Sequence, residues 1–251
     1  MKKKENLIKL LNLSYLNVTN RTVSCGELDL PSVYCNVDSF PDYLALYGQA
    51  GQYHKTEKTA VCYYQYDDKF DGENGLFWAI YFDNQKRLDN FKKKLSGVRY
   101  FIMPDNSQLG DIHTIENYHR IFRARVVALW LMFELKAAVF PNVSFANANM
   151  WKVAKSGLEK CLTVAMSTKG HMDSSIENAR LRDNIKLVVD DLPNLKNILL
   201  YDVCGTDSAT LETFEYAIKH GINVVIPDNS LKLQNQKHYE KRHNIQKAVA
   251  I

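Results

Sequence analysis

The stretch FIMPDNS at residues 101–107 is an apolar run that stops at Pro-Asp-Asn-Ser, and VVIPDNS at residues 224–230 repeats the pattern. Other apolar runs end in the same way at Asn142, Ser167 and Asp202, and segments with helical spacing separate the runs. Continuous apolar strands that alternate with helices predict a parallel sheet covered on both faces. We therefore predict an α/β fold with a parallel sheet, arranged as an irregular or incomplete (β/α) barrel. An open doubly wound sheet is the alternative.

The carboxyl ends of parallel strands lie at one edge of the sheet, so the polar residues that follow them should meet at one rim. The aromatic run LFWAIYF at residues 76–82 is interpreted as one more buried strand, which ends at Asp83. The residues expected at the rim are Asp83, Asp105, Ser107, Asn142, Ser167, Thr168, Gly170, Asp202 and Asp228. The same residue types also cap helices in βα loops, which is the alternative interpretation at each position.

Convergent carboxylates can act as general acid and base or can bind a divalent cation. Asp105 and Asp202 are the predicted catalytic residues, and the other rim residues are predicted to bind substrate. A divalent metal is compatible with the sequence, but no carboxylate spacing matches a metal motif. No cofactor is therefore identified. The segment 167–170 follows a strand and precedes a helix, where Lys169 and backbone N–H groups can hold a phosphate. A turn that contains glycine would explain the same segment.

A long helix is predicted at about residues 111–135, where apolar residues recur every three or four positions. Arg123 and Arg125 flank its buried stripe. Arginines at the border of a buried face need a carboxylate or an anion as partner. We expect Arg123 or Arg125 to hold the Asp residues of the rim through ion pairs, and we count both among the predicted binding residues. Extension of the side chains into solvent and direct contact with a ligand are the alternatives.

The chain divides by composition into three parts. Residues 1–66 are rich in turns and are predicted to form a loop-rich N-terminal cap, with a short helix and strands, packed on the main domain. Residues 67–230 are the predicted α/β core, and residues 231–251 a basic C-terminal tail. A net charge of +4 permits nucleic acid as a partner without arguing for it.

Five scattered cysteines indicate reduced thiols, and no apolar run is long enough to span a bilayer. No secretory signal pattern is recognised at the start of the chain. We therefore expect a location in the cytoplasm of a bacterial host, with no membrane partner.

The middle of the chain resembles the DUF4417 family of uncharacterised phage, plasmid and bacterial proteins. The resemblance rests on FIMPDNS (101–107), FRARVVALW (122–130), VFPNVSF (139–145) and VAMSTKGH (164–171). It implies a compact α/β domain that originates from a mobile genetic element. It implies no activity, because the family has no settled one.

Three functions remain open. The first is an enzyme, a hydrolase or lyase that acts on a phosphate- or sugar-containing small molecule at the rim. The second is a nucleic-acid-associated replication factor that binds through the basic tail and through residues 92–94. The third is a protein-binding module that inhibits a host defence factor through an apolar surface in the tyrosine-rich region 43–66.

Overall fold

The computed structural model describes residues 7–34, 36–37 and 39–249, with side chains described to residue 242. The strands are β1 (Ser24–Cys25), β2 (Leu30–Pro31), β3 (Tyr43–Leu46), β4 (Thr59–Cys62), β5 (Tyr100–Ile102), β6 (Ala138–Phe140), β7 (Thr163–Ser167), β8 (Asn197–Tyr201), β9 (Asn223–Val225) and β10 (Asp228–Asn229). The helices are α1 (Leu16–Thr19), α2 (Leu76–Tyr81), α3 (Gln85–Lys94), α4 (Thr114–Glu134), α5 (Ala148–Ala154), α6 (Ser175–Asp191), α7 (Asp207–Thr213), α8 (Glu215–Lys219) and α9 (Ser230–Val249).

The strands from β3 to β10 pair in parallel and in chain order. β3 to β6 are neighbours, Asn142 then bridges to Ala165 of β7, and β7, β8 and β9 follow. After Ile226 and Pro227 the chain changes partner, because β10 pairs with β3 and not with β8. Proline has no N–H group with which to continue the ladder, so the strand breaks there. The predicted parallel α/β fold is confirmed, and its pairings return to the strand where they began.

The apolar residues of the strands divide between two sides of the sheet. One cluster is built from one or two residues of each of several strands and contains Leu44, Ala60, Cys62, Tyr64, Ile102, Phe140, Ala165, Leu199 and Tyr201. The opposite faces of the strands pack against the helices in two further clusters, of which α4 is a major part. Both faces are therefore covered, which explains why the strands lack the polar alternation of a half-exposed sheet.

The aromatic run at residues 76–82 is a helix, so its prediction as a strand was wrong. α2 buries Leu76, Phe77 and Ile80, and it packs on α4. A short segment that is apolar on all sides suits a buried helix as well as a buried strand, so periodicity does not separate the two. Asp83 consequently lies between α2 and α3, half-buried and not at a strand end. Its carboxylate accepts a hydrogen bond from Gln85 Nε2 at 2.6 Å.

The predicted boundary at residue 66 divides the sheet, because β3 and β4 belong to it. The start of the predicted basic tail also packs on the core. The Asn229 side chain caps α9 by accepting from the backbone N–H of Lys232 at 2.9 Å. The Lys232 side chain is buried and lies 3.2 Å from a carboxylate oxygen of Asp207. No helix in the described part of the chain is long and apolar enough to cross a membrane.

Candidate functional site

A cleft with a cavity volume of about 600 Å³ opens at the carboxyl ends of β4, β5, β7 and β8. The predicted residues that line it are Asp105, Ser107, Ser167, Thr168 and Gly170. A smaller recess of about 60 Å³ shares part of this lining and adds Asn142. The structure thus brings six of the nine predicted rim residues together. Tyr64 and Lys169 line both spaces.

A chain of side chains from three strand ends crosses the floor of the site. The Tyr64 hydroxyl donates to Asn142 Oδ1 at 2.7 Å, and Asn142 Nδ2 donates to Asp105 Oδ1 at 2.7 Å. Lys169 Nζ donates to the Tyr64 carbonyl at 2.5 Å. The Tyr64 ring stacks on Tyr201 with centroids 5.0 Å apart. These contacts fix the orientation of the Asp105 carboxyl group.

Asp105 is half-buried, and burial raises its pKa to about 6. Hydrogen bonds from Asn142 and Ser144 oppose the rise, as does the charge of Lys169. The nearby charge of Asp67 reinforces it. A carboxyl group with such a pKa can both donate and accept a proton near neutral pH. The position and the chemistry of Asp105 therefore suit the catalytic role predicted from the sequence.

Asp202 lies deeper than the cleft and is fully buried. Its carboxylate accepts from Thr168 Oγ1 at 2.9 Å, from the Cys204 N–H at 3.1 Å and from Thr210 Oγ1 at 2.8 Å. Its backbone carbonyl accepts from Asn229 Nδ2 at 2.7 Å. Asp202 does not line the cleft. It holds the ends of β7 and β8 together and fixes Thr168, which does line it.

The two Pro-Asp-Asn-Ser segments use their residues differently. Asp105 lies three residues after the last residue of β5 and faces the cleft, whereas Asp228 is itself a paired residue of β10 and is exposed outside the cleft. The prediction of Asp228 as a rim residue was therefore wrong. The shared feature is the asparagine, because Asn106 and Asn229 are both buried and both anchor a neighbouring segment through their side chains.

Arg123 is held by a carboxylate that sequence reasoning missed. Its Nη2 lies 2.8 Å from Asp71 Oδ2, and both side chains are largely buried. Asn106 Nδ2 donates to the same oxygen at 2.6 Å. Burial raises the pKa of Asp71 to about 6, although Arg123 acts to lower it. Arg123 thus forms the expected ion pair, but with Asp71 and not with an Asp of the predicted rim.

A second pair secures the same segment. Arg120 Nη1 lies 2.6 Å from Asp67 Oδ2, and Ser107 donates to the Asp67 carboxylate from its N–H at 3.1 Å and from Oγ at 2.9 Å. The acidic segment 67–71 is thereby tied to the first Pro-Asp-Asn-Ser segment and to α4. Its composition, DDKFD, was the available signal, but the partners depend on the tertiary fold.

Arg125 makes no ion pair with a rim carboxylate, so that expectation was wrong. It is 1% exposed, and it donates to the carbonyls of Pro31 at 3.1 Å, Ala154 at 2.6 Å and Ser156 at 2.5 Å. Carbonyl groups at a helix end carry partial negative charge, and they replace the carboxylate as partners. Burial lowers the pKa of Arg125 to about 10. Arg125 joins β2 to the end of α5.

The four predicted rim carboxylates do not converge. Asp105 faces the cleft and Asp202 is enclosed, whereas Asp83 lies between two helices and Asp228 is exposed outside the cleft. Among residues 7–34, 36–37 and 39–249, no group of three His, Cys, Asp or Glu side chains is arranged to hold a metal ion. The described side chains therefore identify no metal centre.

The fold and the cleft together define a parallel α/β protein with a polar site at the carboxyl ends of its strands. The chain belongs to the family described as Domain of unknown function (DUF4417), whose profile matches residues 23–217. The match includes β3 and β4 and all the residues that line the recess, and it ends before β9. No curated protein and no solved structure shows significant similarity to the chain.

Proposed function

We propose that the protein is an enzyme, a hydrolase or lyase that acts on a phosphate- or sugar-containing small molecule bound in the cleft. The observation that carries this proposal is the half-buried Asp105, whose pKa is raised to about 6 and whose carboxyl group faces the cleft. Clefts of roughly 300–1,000 Å³ with a few convergent polar groups are the usual sites of small-molecule ligands. Titratable groups with shifted pKa values gather at such sites.

The neighbours of Asp105 suggest a division of roles. Asp105 transfers a proton to or from the substrate, and Asn142 and Tyr64 hold its carboxyl group in one orientation. Lys169 supplies positive charge where negative charge develops in the transition state. Gly170 adopts a φ of +83°, which favours glycine and lets the chain turn directly after Lys169.

A thermal-shift and turnover screen tests this proposal with a matched pair of variants. Asp105→Asn removes the proton-transfer group, and Asp228→Asn makes the same change in the second Pro-Asp-Asn-Ser segment, outside the cleft. The screen contains sugar phosphates, glycosides, nucleotides, Mg²⁺ and Mn²⁺. A ligand at 100 times its Kd stabilises the native state by about 2.7 kcal/mol.

We expect turnover of at least one compound by the wild type and by Asp228→Asn, and its loss in Asp105→Asn. Equal turnover by Asp105→Asn and the wild type would contradict the proposal.

The two alternative functions have less structural support. Lys92 pairs with Glu134 at 3.0 Å, and Lys94 Nζ lies 3.6 Å from the centre of the Tyr47 ring, so two of the three lysines expected to bind nucleic acid are engaged within the protein. The tyrosine-rich region does not supply an apolar surface, because most of its rings are buried. The buried rings are those of Tyr43, Tyr47, Tyr53, Tyr63 and Tyr64.

The proposal also covers the origin of the protein, its location in the cell and the detailed arrangement of its strands. The resemblance to phage and plasmid proteins supports an origin on a mobile genetic element. The buried cysteines Cys62 and Cys204, which form no disulfide, support a reducing location such as the bacterial cytoplasm. The return of the strand pairings to β3 supports a TIM-barrel-like arrangement with irregular strands.

A further inference from the structure

We propose that the cleft binds a neutral, hydroxyl-rich ring, namely a sugar, with one face of the ring on the side chain of Tyr66. This inference rests on the proposed function and narrows its substrate class from phosphate- or sugar-containing molecules to sugars. Three features of the cleft carry it: an exposed aromatic ring on a fixed segment, a buried amide donor, and the balance of charges.

Tyr66 lines the cleft and is 83% exposed, more than any other large hydrophobic side chain among the described residues. Its backbone is nevertheless fixed, because it directly precedes the turn at Asp67–Lys69. That turn is held by the contacts of Asp67 with Arg120 and Ser107. A tyrosine side chain has only two rotatable bonds, so on a fixed backbone it loses little freedom when an apolar face covers its ring. The C–H face of a sugar ring is such a surface.

Gln65 offers a hydrogen-bond donor beside this ring. Its Oε1 accepts from the Gly48 N–H at 3.3 Å, whereas its Nε2 is buried and has no acceptor among the described residues. A buried donor without an acceptor is costly, and a ligand that supplies an acceptor relieves that cost. Gln65 lines the cleft, and rotation of its side chain toward a bound sugar would present this donor to a hydroxyl group. Ser107, Ser167 and Asn235 add further hydroxyl and amide groups to the lining.

The charges of the cleft argue against a phosphate group. Its charged lining residues are Asp105, Asp173 and Lys169, so the lining carries two carboxylates and one ammonium group. The smaller recess contains Asp105 and Lys169 together with His171. Burial lowers the pKa of His171, which favours its neutral form, although Glu177 opposes the shift. A phosphate dianion would therefore meet no surplus of positive charge, whereas a neutral sugar would meet many hydrogen-bonding groups.

Saturation-transfer NMR and calorimetric titration test the inference with neutral sugars, their methyl glycosides and the corresponding sugar phosphates. The variants are Tyr66→Ala, Tyr66→Phe and, as a control, Tyr34→Ala, which removes an exposed tyrosine that does not line the cleft. We expect a neutral sugar or glycoside to bind wild type and Tyr34→Ala alike. Tyr66→Ala should weaken binding about fivefold to tenfold, and Tyr66→Phe, which keeps the ring, should bind nearly as well as wild type.

Failure of this inference can be distinguished from failure of the proposed function. The inference is overturned if no neutral sugar binds, if Tyr66→Ala binds sugars like wild type, or if sugar phosphates bind more tightly than the neutral sugars and lose that advantage in Lys169→Met. Turnover that depends on Asp105 but not on Tyr66 would overturn the inference and leave the enzyme proposal standing. Sugar binding that depends on Tyr66, with no turnover of any compound, would overturn the enzyme proposal and leave the inference about sugar binding standing.

Discussion

Asn142 donates from Nδ2 to Oδ1 of Asp105 over 2.7 Å, while its own Oδ1 accepts from the Tyr64 hydroxyl at the same distance. The three residues come from the ends of neighbouring strands β4, β5 and β6, so the sheet itself sets their spacing. The amide of Asn142 is satisfied on both of its polar ends and has one orientation only. The contact therefore holds the Asp105 carboxyl group in place whether or not that group carries a proton.

The raised pKa of Asp105 predicts that Asp105→Asn stabilises the protein at alkaline pH. Because the folded pKa of about 6 lies above that of an unfolded Asp, ionisation of Asp105 lowers stability as pH rises from about 4 to 6. An amide carries no charge and avoids this cost. We expect the free energy of unfolding at pH 8 to rise by about 1–2 kcal/mol, with little change at pH 4. Urea denaturation at the two pH values measures this, and a loss of stability at pH 8 would contradict it.

The same substitution at Asp202 should act in the opposite direction. Its carboxylate accepts three hydrogen bonds inside the protein, and an amide places an NH₂ group where one of those oxygens was. Donors left unsatisfied in the interior cost about 1–3 kcal/mol. We expect Asp202→Asn to lower the free energy of unfolding by that amount at pH 8. Asp228→Asn, at an exposed site, is the control and should change stability by less than about 0.5 kcal/mol.

Removal of Arg123 should be more damaging than removal of its partner Asp71. Arg123→Met leaves a buried carboxylate without its counter-charge, a change that typically costs about 3–5 kcal/mol. Asp71→Asn removes a buried carboxyl group whose pKa is raised to about 6, and with it the negative charge. The loss in free energy of unfolding should therefore be smaller. The effect of Arg123→Met should shrink below pH 6, because Asp71 is then protonated. Urea denaturation of both single variants and the double variant at pH 5 and pH 8 tests this order. Equal losses of unfolding free energy at the two pH values would contradict the prediction.

Arg125 should not be replaceable by lysine. Its guanidinium group reaches three carbonyl oxygens from a fully buried position, which a single ammonium group does not reproduce. We expect Arg125→Lys to lower the free energy of unfolding by about 2–4 kcal/mol. Arg21→Lys is the control, since Arg21 pairs with Glu134 at the surface and should tolerate the change within about 0.5 kcal/mol. A tolerated Arg125→Lys would show that the carbonyl contacts contribute little.

The sequence was a good guide wherever local chemistry decides the structure. β8 lies where the apolar run NILLY predicts it, and Ser174 caps α6 by accepting from the Glu177 N–H. The expectation that residues after parallel strands meet at one edge of the sheet also placed Asp105, Asn142 and Ser167 correctly. That expectation does not state how far beyond the end of a strand a side chain lies. For that reason Asp105 at the cleft and Asp228 outside it were not distinguished.

Other parts of the site depend on contacts that no local pattern encodes. The pairs Arg123–Asp71 and Arg120–Asp67 join residues that are far apart in the chain. The wrong prediction of a strand at residues 76–82 has a different cause. A short run that is apolar on every side shows no periodicity that separates a helix from a strand. The Asn84 side chain caps α3 by accepting from the Arg87 N–H, so only three residues separate α2 from α3.

The partner change at Pro227 has a consequence for the order in which the protein is made. β3 is synthesised long before one of its two neighbours, β10, which lies far downstream in the sequence. The nascent protein therefore carries an unpaired strand edge while the segments between β3 and β10 are synthesised, a state that favours pairing with other chains. A chain that ends at residue 217, with the family match, would keep this edge open permanently. The segment from β9 onward thus covers a strand edge that would otherwise be open to pairing with other chains.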